Sequence, residues 1–245
     1  MAKQSGLGDN LYAGGYDLSG DILSLKVIGG GPKTDEVTGI DKSAVERLGL
    51  VRDGRIDATS AFNPATDRAH LRLKLLPTAD VMLTYCRGTT LGNQAACMVS
   101  KQINYDGQRA DDGAFRFEVS AQANAYGLEW GRQLTAGKRT DTAATNGPSI
   151  DTTASADFGA QAYLQVFAFT GTSVTVKIQD SADDSSFLDV AGLTFTAATG
   201  VTTERLATAN TATVRRYLRI ATTGTFSNAV FSVVIAKNPI AGQVF

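Results

Sequence analysis

Six groups of residues are of types that could do chemistry. Gly29-Gly30-Gly31-Pro32-Lys33-Thr34 ends in Lys-Thr like a phosphate-binding loop. That loop needs a glycine directly before its lysine, so that successive backbone N–H groups curl round the phosphate. Pro32 stands there with no N–H to give, and the run reads as a mobile loop. Asp180-Ser181-Ala182-Asp183-Asp184 offers carboxylates that could hold calcium, but it lacks the glycine and terminal glutamate of a calcium loop and reads as an acidic turn between strands. Asp111-Asp112 before Gly113 is likewise a turn, and no carboxylate pair suggests a glycosidase. His70 is the single histidine, and no Ser or Cys stands in a nucleophile motif to pair with it. A zinc site would have to use Cys86, Cys97 and a carboxylate at a spacing that matches no ligand pattern. Arg215, Arg216 and Arg219 cluster late in the chain, where ion pairing explains them better than phosphate binding. No catalytic, metal or cofactor residue is expected, and the chain does not read as an enzyme.

The composition agrees. The chain has 245 residues, 23 Lys+Arg against 24 Asp+Glu, and 43% hydrophobic residues. A neutral balance argues against a dedicated nucleic-acid binder, and the apolar content against wholesale disorder. Two cysteines are too few for a disulfide scaffold, and both are expected to be reduced and half-buried. No apolar run has the length of a membrane span. The opening residues lack the apolar stretch of a secretory signal, so the chain is expected to be made and kept in a cytoplasm unless an assembly carries it out.

The elements divide the chain in two. Thr occurs 8 times in residues 1–134 and 20 times in 135–245, while charged residues fall from 31 to 16. The polar, aperiodic stretch Thr135 to Pro148 reads as a linker. Domains are therefore expected at 1–138 and 151–245, joined by 139–150. Residues 1–20 form a Gly-rich arm whose apolar anchors Leu7, Leu11, Tyr12, Tyr16 and Leu18 should lie against their own domain or a neighbouring copy.

Ser43-Ala44-Val45-Glu46 has capping-box spacing and predicts a short helix. Asn63-Pro64 predicts a second, running to Pro77, although Leu71, Leu73 and Leu75 also alternate as in a strand. Period-two patterns at 56–62, 81–85, 98–105 and 115–119 predict a β-sandwich or open barrel in the first domain. In the second, short strands at 163–169, 174–178, 187–190, 193–195, 216–220 and 231–235 predict an antiparallel sandwich, Ig-like or jelly-roll. The fold class is mainly β.

Ordered strings then carry a resemblance. Thr38-Gly39-Ile40-Asp41-Lys42-Ser43-Ala44-Val45-Glu46-Arg47-Leu48-Gly49 is followed by Asp53-Gly54 and Phe62-Asn63-Pro64. Leu76-Pro77-Thr78-Ala79-Asp80, Arg87-Gly88-Thr89-Thr90-Leu91-Gly92, Lys101-Gln102-Ile103-Asn104-Tyr105, Asp112-Gly113 and Gly127-Leu128-Glu129-Trp130-Gly131 continue the series. In order and spacing these resemble the major tail (tail tube) proteins of long-tailed, non-contractile bacteriophages, closest to those of actinobacterial phages, over most of residues 35–140. Val176 to Asp183 and Arg215 to Ile220 resemble β-sandwich modules appended to phage tail and capsid proteins.

The resemblance implies a structural virion protein of the phage tail, assembled in the host cytoplasm. Six-membered rings would pool their sheets into a barrel and stack into a tube through which genomic DNA passes without specific binding. The implied partners are further copies of the chain, a tape-measure protein, a tail terminator, and distal tail or baseplate proteins. Head-to-tail contacts close rings, stacked rings give an open filament, and edge strands become joining surfaces. A conduit for DNA should be neutral or acidic within, since each wall cation adds salt-dependent attraction to phosphate; Glu118, with the outward half of Phe115–Val119, is the lumen candidate. The alternative is a decoration or receptor-binding module whose C-terminal sandwich holds host-surface carbohydrate. Its aromatic candidates would be Tyr163, Phe187, Tyr217 and Phe226, with Trp130 outside that half.

Overall fold

The computed structural model describes residues 5–242, so the first four residues of the expected arm and the last three of the C-terminal domain lie outside it. In chain order the strands are β1 (Asn10–Ala13), β2 (Tyr16–Asp17), β3 (Ile22–Glu36), β4 (Arg47–Ala61), β5 (Val81–Cys86), β6 (Gln94–Arg109) and β7 (Phe115–Ala123). There follow β8 (Glu129–Gln133), β9 (Arg139–Asp141), β10 (Ile150–Asp151), β11 (Ala160–Ser181), β12 (Leu188–Thr194), β13 (Thr202–Ala207) and β14 (Tyr217–Lys237). One helical turn, α1 (Ala69–Leu73), lies between β4 and β5. The fold is mainly β, with every named strand pair antiparallel.

Two compact units share the chain. The first contains residues 1–19, 82–97 and 129–245, and the second contains 20–81 and 98–128. The expected boundary at 139–150 falls inside the first unit. There β9 pairs with β14 through Arg139↔Phe231 and Asp141↔Ala229, and Ile150 pairs with Leu218. The stretch looks like a linker because it is polar and aperiodic, yet it is tied both to itself and to β14. Arg139 binds Asp141 at 2.7 and 2.9 Å, and Thr222 Oγ1 donates to Asp141 Oδ2 at 2.8 Å.

In the first unit β14 is the hub. β11 runs along it from Ala160↔Lys237 to Ser181↔Tyr217, so the four expected strands at 163–169, 174–178, 216–220 and 231–235 form one long hairpin. Gly171 breaks the alternation without ending the strand. It has φ 148°, and a Cβ there would stand 2.4 Å from Phe226 Cα. Only glycine allows that approach. The expected strands at 187–190 and 193–195 similarly merge into β12. Leu164, Val166, Val176, Ile178, Leu218, Ile220, Phe231 and Val233 alternate along β11 and β14 into the core, with Leu193, Phe195 and Val214 packed among them. Burial of each such side chain stabilises the fold by about 1.5–3 kcal/mol.

The N-terminal arm belongs to this unit. β1 pairs with β5 from Asn10↔Cys86 to Ala13↔Leu83, and β2 folds back on β1. The buried Gln165 amide fixes the turn between them. Its Oε1 accepts from Gly15 N at 2.8 Å, and its Nε2 donates to Thr84 Oγ1 at 2.9 Å and to Tyr12 O at 3.3 Å.

The second unit is a sheet in the order β3, β4, β7, β6. Its core contains Ile56, Ala58, Phe117, Val119 and Ala121, together with Ala69 and Leu73 of α1. The helix expected from Ser43 is absent. Residues 37–46 turn the hairpin, and Arg47 already begins β4. Glu46 N–H donates to Thr38 Oγ1 instead of closing a capping box, and Arg47, Leu48 and Gly49 join the ladder that β3 offers through Glu36, Asp35 and Thr34. The second expected helix shortens to α1: Asn63 Oδ1 caps a turn at Ala65 N–H, and Leu76 at φ 41° ends the helical path just before Pro77. The supposed glycine loop is strand, since Gly29 to Pro32 pair with Arg55 to Arg52.

Candidate assembly surface

The β3–β4 hairpin is where the second unit leaves apolar surface uncovered. β7 pairs with β4 only from Arg55 to Ala61. Beyond Arg55 the hairpin is a two-stranded ribbon, continuing to Glu36↔Arg47. The strands close tightly at Gly30, where a Cβ would stand 2.3 Å from Asp53 O, and Lys33 pairs with Asp53 at 3.4 Å. Past that point Val37, Ile40, Val45, Leu48, Leu50 and Val51 are all exposed. An isolated two-stranded ribbon is marginal in water, and this concentration of exposed apolar side chains makes it the candidate for a partner surface. Sequence reading placed a helix and a loop here and so did not single the ribbon out. The signal was six large apolar residues within 37–51, in a segment that also holds Gly39 and Gly49.

The arm residues have other duties. Leu11, Tyr12 and Leu18 are buried within the first unit, and Tyr16 is half-buried. Only Leu7, at 91% exposure, remains open for contact with another copy. Of the two placements the sequence allowed the arm, its own unit is the one adopted by Leu11, Tyr12 and Leu18.

Asp17, on β2, ties the arm to Lys138. Its Oδ2 lies 2.5 Å from Lys138 Nζ, and its Oδ1 accepts from Ser19 Oγ at 2.6 Å. Burial alone would raise the carboxyl pKa, but the Lys138 ammonium and the Ser19 donors outweigh it and hold it below the usual range. A depressed native pKa means stability that is present above about pH 4 and lost as pH falls through the native value. Asp17→Asn should therefore lower stability at pH 7 by up to about 1 kcal/mol, the pair being part-exposed. Below the native pKa the gap should close. Urea midpoints of both proteins at pH 7 and pH 2.5 check this.

Glu118 sits on β7, opposite Thr59. Its carboxylate takes hydrogen bonds from Lys26 Nζ and, at 3.1 Å, from Thr59 Oγ1. The Lys26 ammonium, chiefly, keeps its pKa below the usual range. The charge that sequence reading gave to a lumen wall is thus half of an ion pair. Arg116, Gln108 and Leu23 share the surrounding hollow of about 590 Å³.

The remaining sequence candidates are held by structural contacts. His70 Nδ1 is 3.1 Å from Tyr105 Oη, and its ring packs 4.5 Å from that of Phe62. Asp180 accepts from Arg215 N and Nε at 2.8 and 2.9 Å, and Asp183 Oδ1 caps the N–H groups of Ser185 and Ser186. Arg216 grips Asp151, and Arg219 binds Gln179 Oε1 at 2.8 Å. Among the described residues no group of three His, Cys, Asp or Glu is arranged to hold a metal ion. Both cysteines are fully buried rather than half-buried. Burial, then Asp17 and Asp9, pushes the Cys86 thiol up to about 12, so it is unreactive at neutral pH.

No family model matches the chain, and no curated protein matches it by sequence. Solved structures resemble it in part. A chain from the virion of a native gene transfer agent particle shares 14% identity at a TM-score of 0.41, covering 52% of this chain and 98% of that one. The SPP1 Dit (gp 19.1) protein, described as a hub of the adsorption apparatus in phages infecting Gram-positive hosts, shares 13% identity at 0.32, with coverage of 93% and 98%. A chain of the phage p2 baseplate in its activated conformation shares 9% identity at 0.36, with coverage of 95% and 99%.

Proposed function

We propose that the chain is a structural subunit of a phage tail, forming six-membered rings that stack into the tail tube. The exposed apolar ribbon of β3–β4 carries this reading. A subunit built to remain alone would not extend six large apolar side chains from a two-stranded hairpin, whereas a ring-former needs such a projecting surface to reach the next copy. The resemblance of residues 35–140 to major tail proteins supports it, because the strings that carry it include the tip of this hairpin. Tape-measure, terminator and distal tail proteins are the further partners, and DNA passes through without specific binding. The paired state of Glu118 and Lys26 suits a wall that neither attracts nor strongly repels phosphate.

The receptor-binding alternative loses its expected platform. Tyr163 is buried, and Phe187 and Tyr217 lie under Arg219 and Arg216 at 4.1 and 5.0 Å. Phe226 packs on the core.

Electron microscopy of the concentrated full-length protein, alone and with tail tips as seeds, tests the proposal. Hollow tubes or stacked rings of six-fold symmetry are expected. Protein that stays monomeric in both conditions would remove the tube reading.

A further inference from the structure

Two adjoining clefts in the first unit meet at Gln94, Trp130 and Arg132, with volumes of about 290 and 410 Å³. The ladder places these groups together. Trp130 and Arg132 are two residues apart on β8 and share a face. On β6, Gln94 stands opposite Arg132 and the small Ala96 opposite Trp130. Gly131 between them lets β14 approach, since a Cβ there would stand 2.2 Å from Ile235 O. The indole is half exposed, with the ring of Tyr85 edge-on at 6.2 Å and 90°.

The charge of the lining is one-sided. Arg87, Arg132 and Lys237 contribute to the walls, and no carboxylate does. The nearby acids are already engaged. Asp151 is held by two guanidinium nitrogens of Arg216, Nε and Nη2, and Asp9 accepts from Tyr85 Oη and Gly88 N–H beside Arg87. Lys237 Nζ is fixed by Thr152 Oγ1, Ala154 O and Arg215 O at 2.9, 2.6 and 3.1 Å. Arg132 gives one N–H to Gly92 O at 3.2 Å, and its charge adds to that of Arg216 in holding the Asp151 carboxyl below its usual range. Its remaining donors form a fork suited to a carboxylate. Thr153 lines the same cleft at φ 72°, a conformation that a β-branched residue rarely holds and that clusters at binding sites.

We propose that this cleft binds an acidic carbohydrate, with the Trp130 indole stacked on a sugar ring and Arg132 taking its carboxylate. An aromatic face gives apolar contact to the C–H side of a sugar ring, and Gln94, Thr153 and Ser155 offer polar groups to its hydroxyls. A single-stranded nucleic acid would call for a row of aromatic platforms, and this cleft has one accessible ring, because Tyr85 is buried. The inference does not depend on the tube reading.

Trp130 is the only tryptophan, so its fluorescence reports on the cleft alone. Trigalacturonic acid titrated into the full-length protein should change the emission saturably. Maltotriose, which lacks the carboxylates, should bind at least about tenfold more weakly, and Arg132→Gln should weaken the uronate by a similar factor. Arg109→Gln, in the second unit, should leave binding unchanged. Absence of a saturable change, equal affinity for the neutral sugar, or undiminished binding by a folded Arg132→Gln variant would each overturn the proposal. So would tighter binding of hexathymidylate, which would give the cleft to nucleic acid. Emission that moves with protein concentration but not with sugar would give it to a second copy.

Discussion

Replacing Glu129 by alanine should destabilise the protein by about 3–5 kcal/mol, because it strands a buried cation. Glu129, on β8, accepts from Arg205 of β13 at 3.0 Å and from the hydroxyl of Tyr163 on β11, while Arg205 Nε donates to that same hydroxyl at 3.0 Å. The two charged side chains are 4% and 8% exposed. Burial, reinforced by the Glu129 charge, pushes the Tyr163 hydroxyl pKa far up, so it stays a donor at any ordinary pH. Without Glu129 the guanidinium keeps its desolvation cost and loses its counter-charge. The midpoint of thermal unfolding should fall by roughly 6–20 °C for a chain of this length. Tyr163→Phe should cost less, about 1–2 kcal/mol, since it removes a neutral partner. The double replacement Glu129→Leu with Arg205→Met should recover most of the loss. Urea unfolding of all four proteins decides the matter. If the alanine variant lost under 1 kcal/mol, the triad would contribute little to the fold.

Aspartate at both Leu48 and Leu50 should abolish assembly while leaving the subunit folded. Both side chains are about half exposed on β4, in the part of the ribbon beyond the reach of β7. Surface changes of this kind alter stability by about 0.5 kcal/mol or less each. Two carboxylates forced into an apolar contact would instead have to be desolvated at a cost of several kcal/mol per copy. Sedimentation and microscopy at the wild-type assembly concentration should show particles only for the wild type, with matching circular dichroism melts. Tubes formed by the double variant would mean that the ribbon is not a joining surface.

What was legible in the chain was local. Short apolar runs at 163–169 and 231–235 marked strands correctly, and Tyr163 to Val166 and Phe231 to Ile235 are buried on both sides of the sheet. Their union into one hairpin was hidden, since Gly171 and Gly224 look like turns in isolation and serve here as points of close approach within a continuous ladder. The short helix at Ser43 failed for a related reason. Four residues satisfied a capping rule, but the longer ladder with β3 outweighed it. Tertiary partners left no local trace at all. Nothing near Gly15 announces Gln165, and nothing near Arg139 announces β14. Trp130 was assigned to the first half of the chain by position, yet its strand pairs with β6, and its neighbours Arg132 and Gln133 pair with β14, which brings it to the cleft with Lys237.

The central place of β14 has a consequence for synthesis. Residues 1–19 and 82–97 belong to a unit whose hub strand, Tyr217–Lys237, is made more than a hundred residues later. At about 5–20 residues per second, the arm waits roughly 10–45 s on the ribosome before that strand exists. In a chain released early by truncation or frameshift the first unit has no hub to close upon. Translation itself thereby screens which copies present a closed first unit.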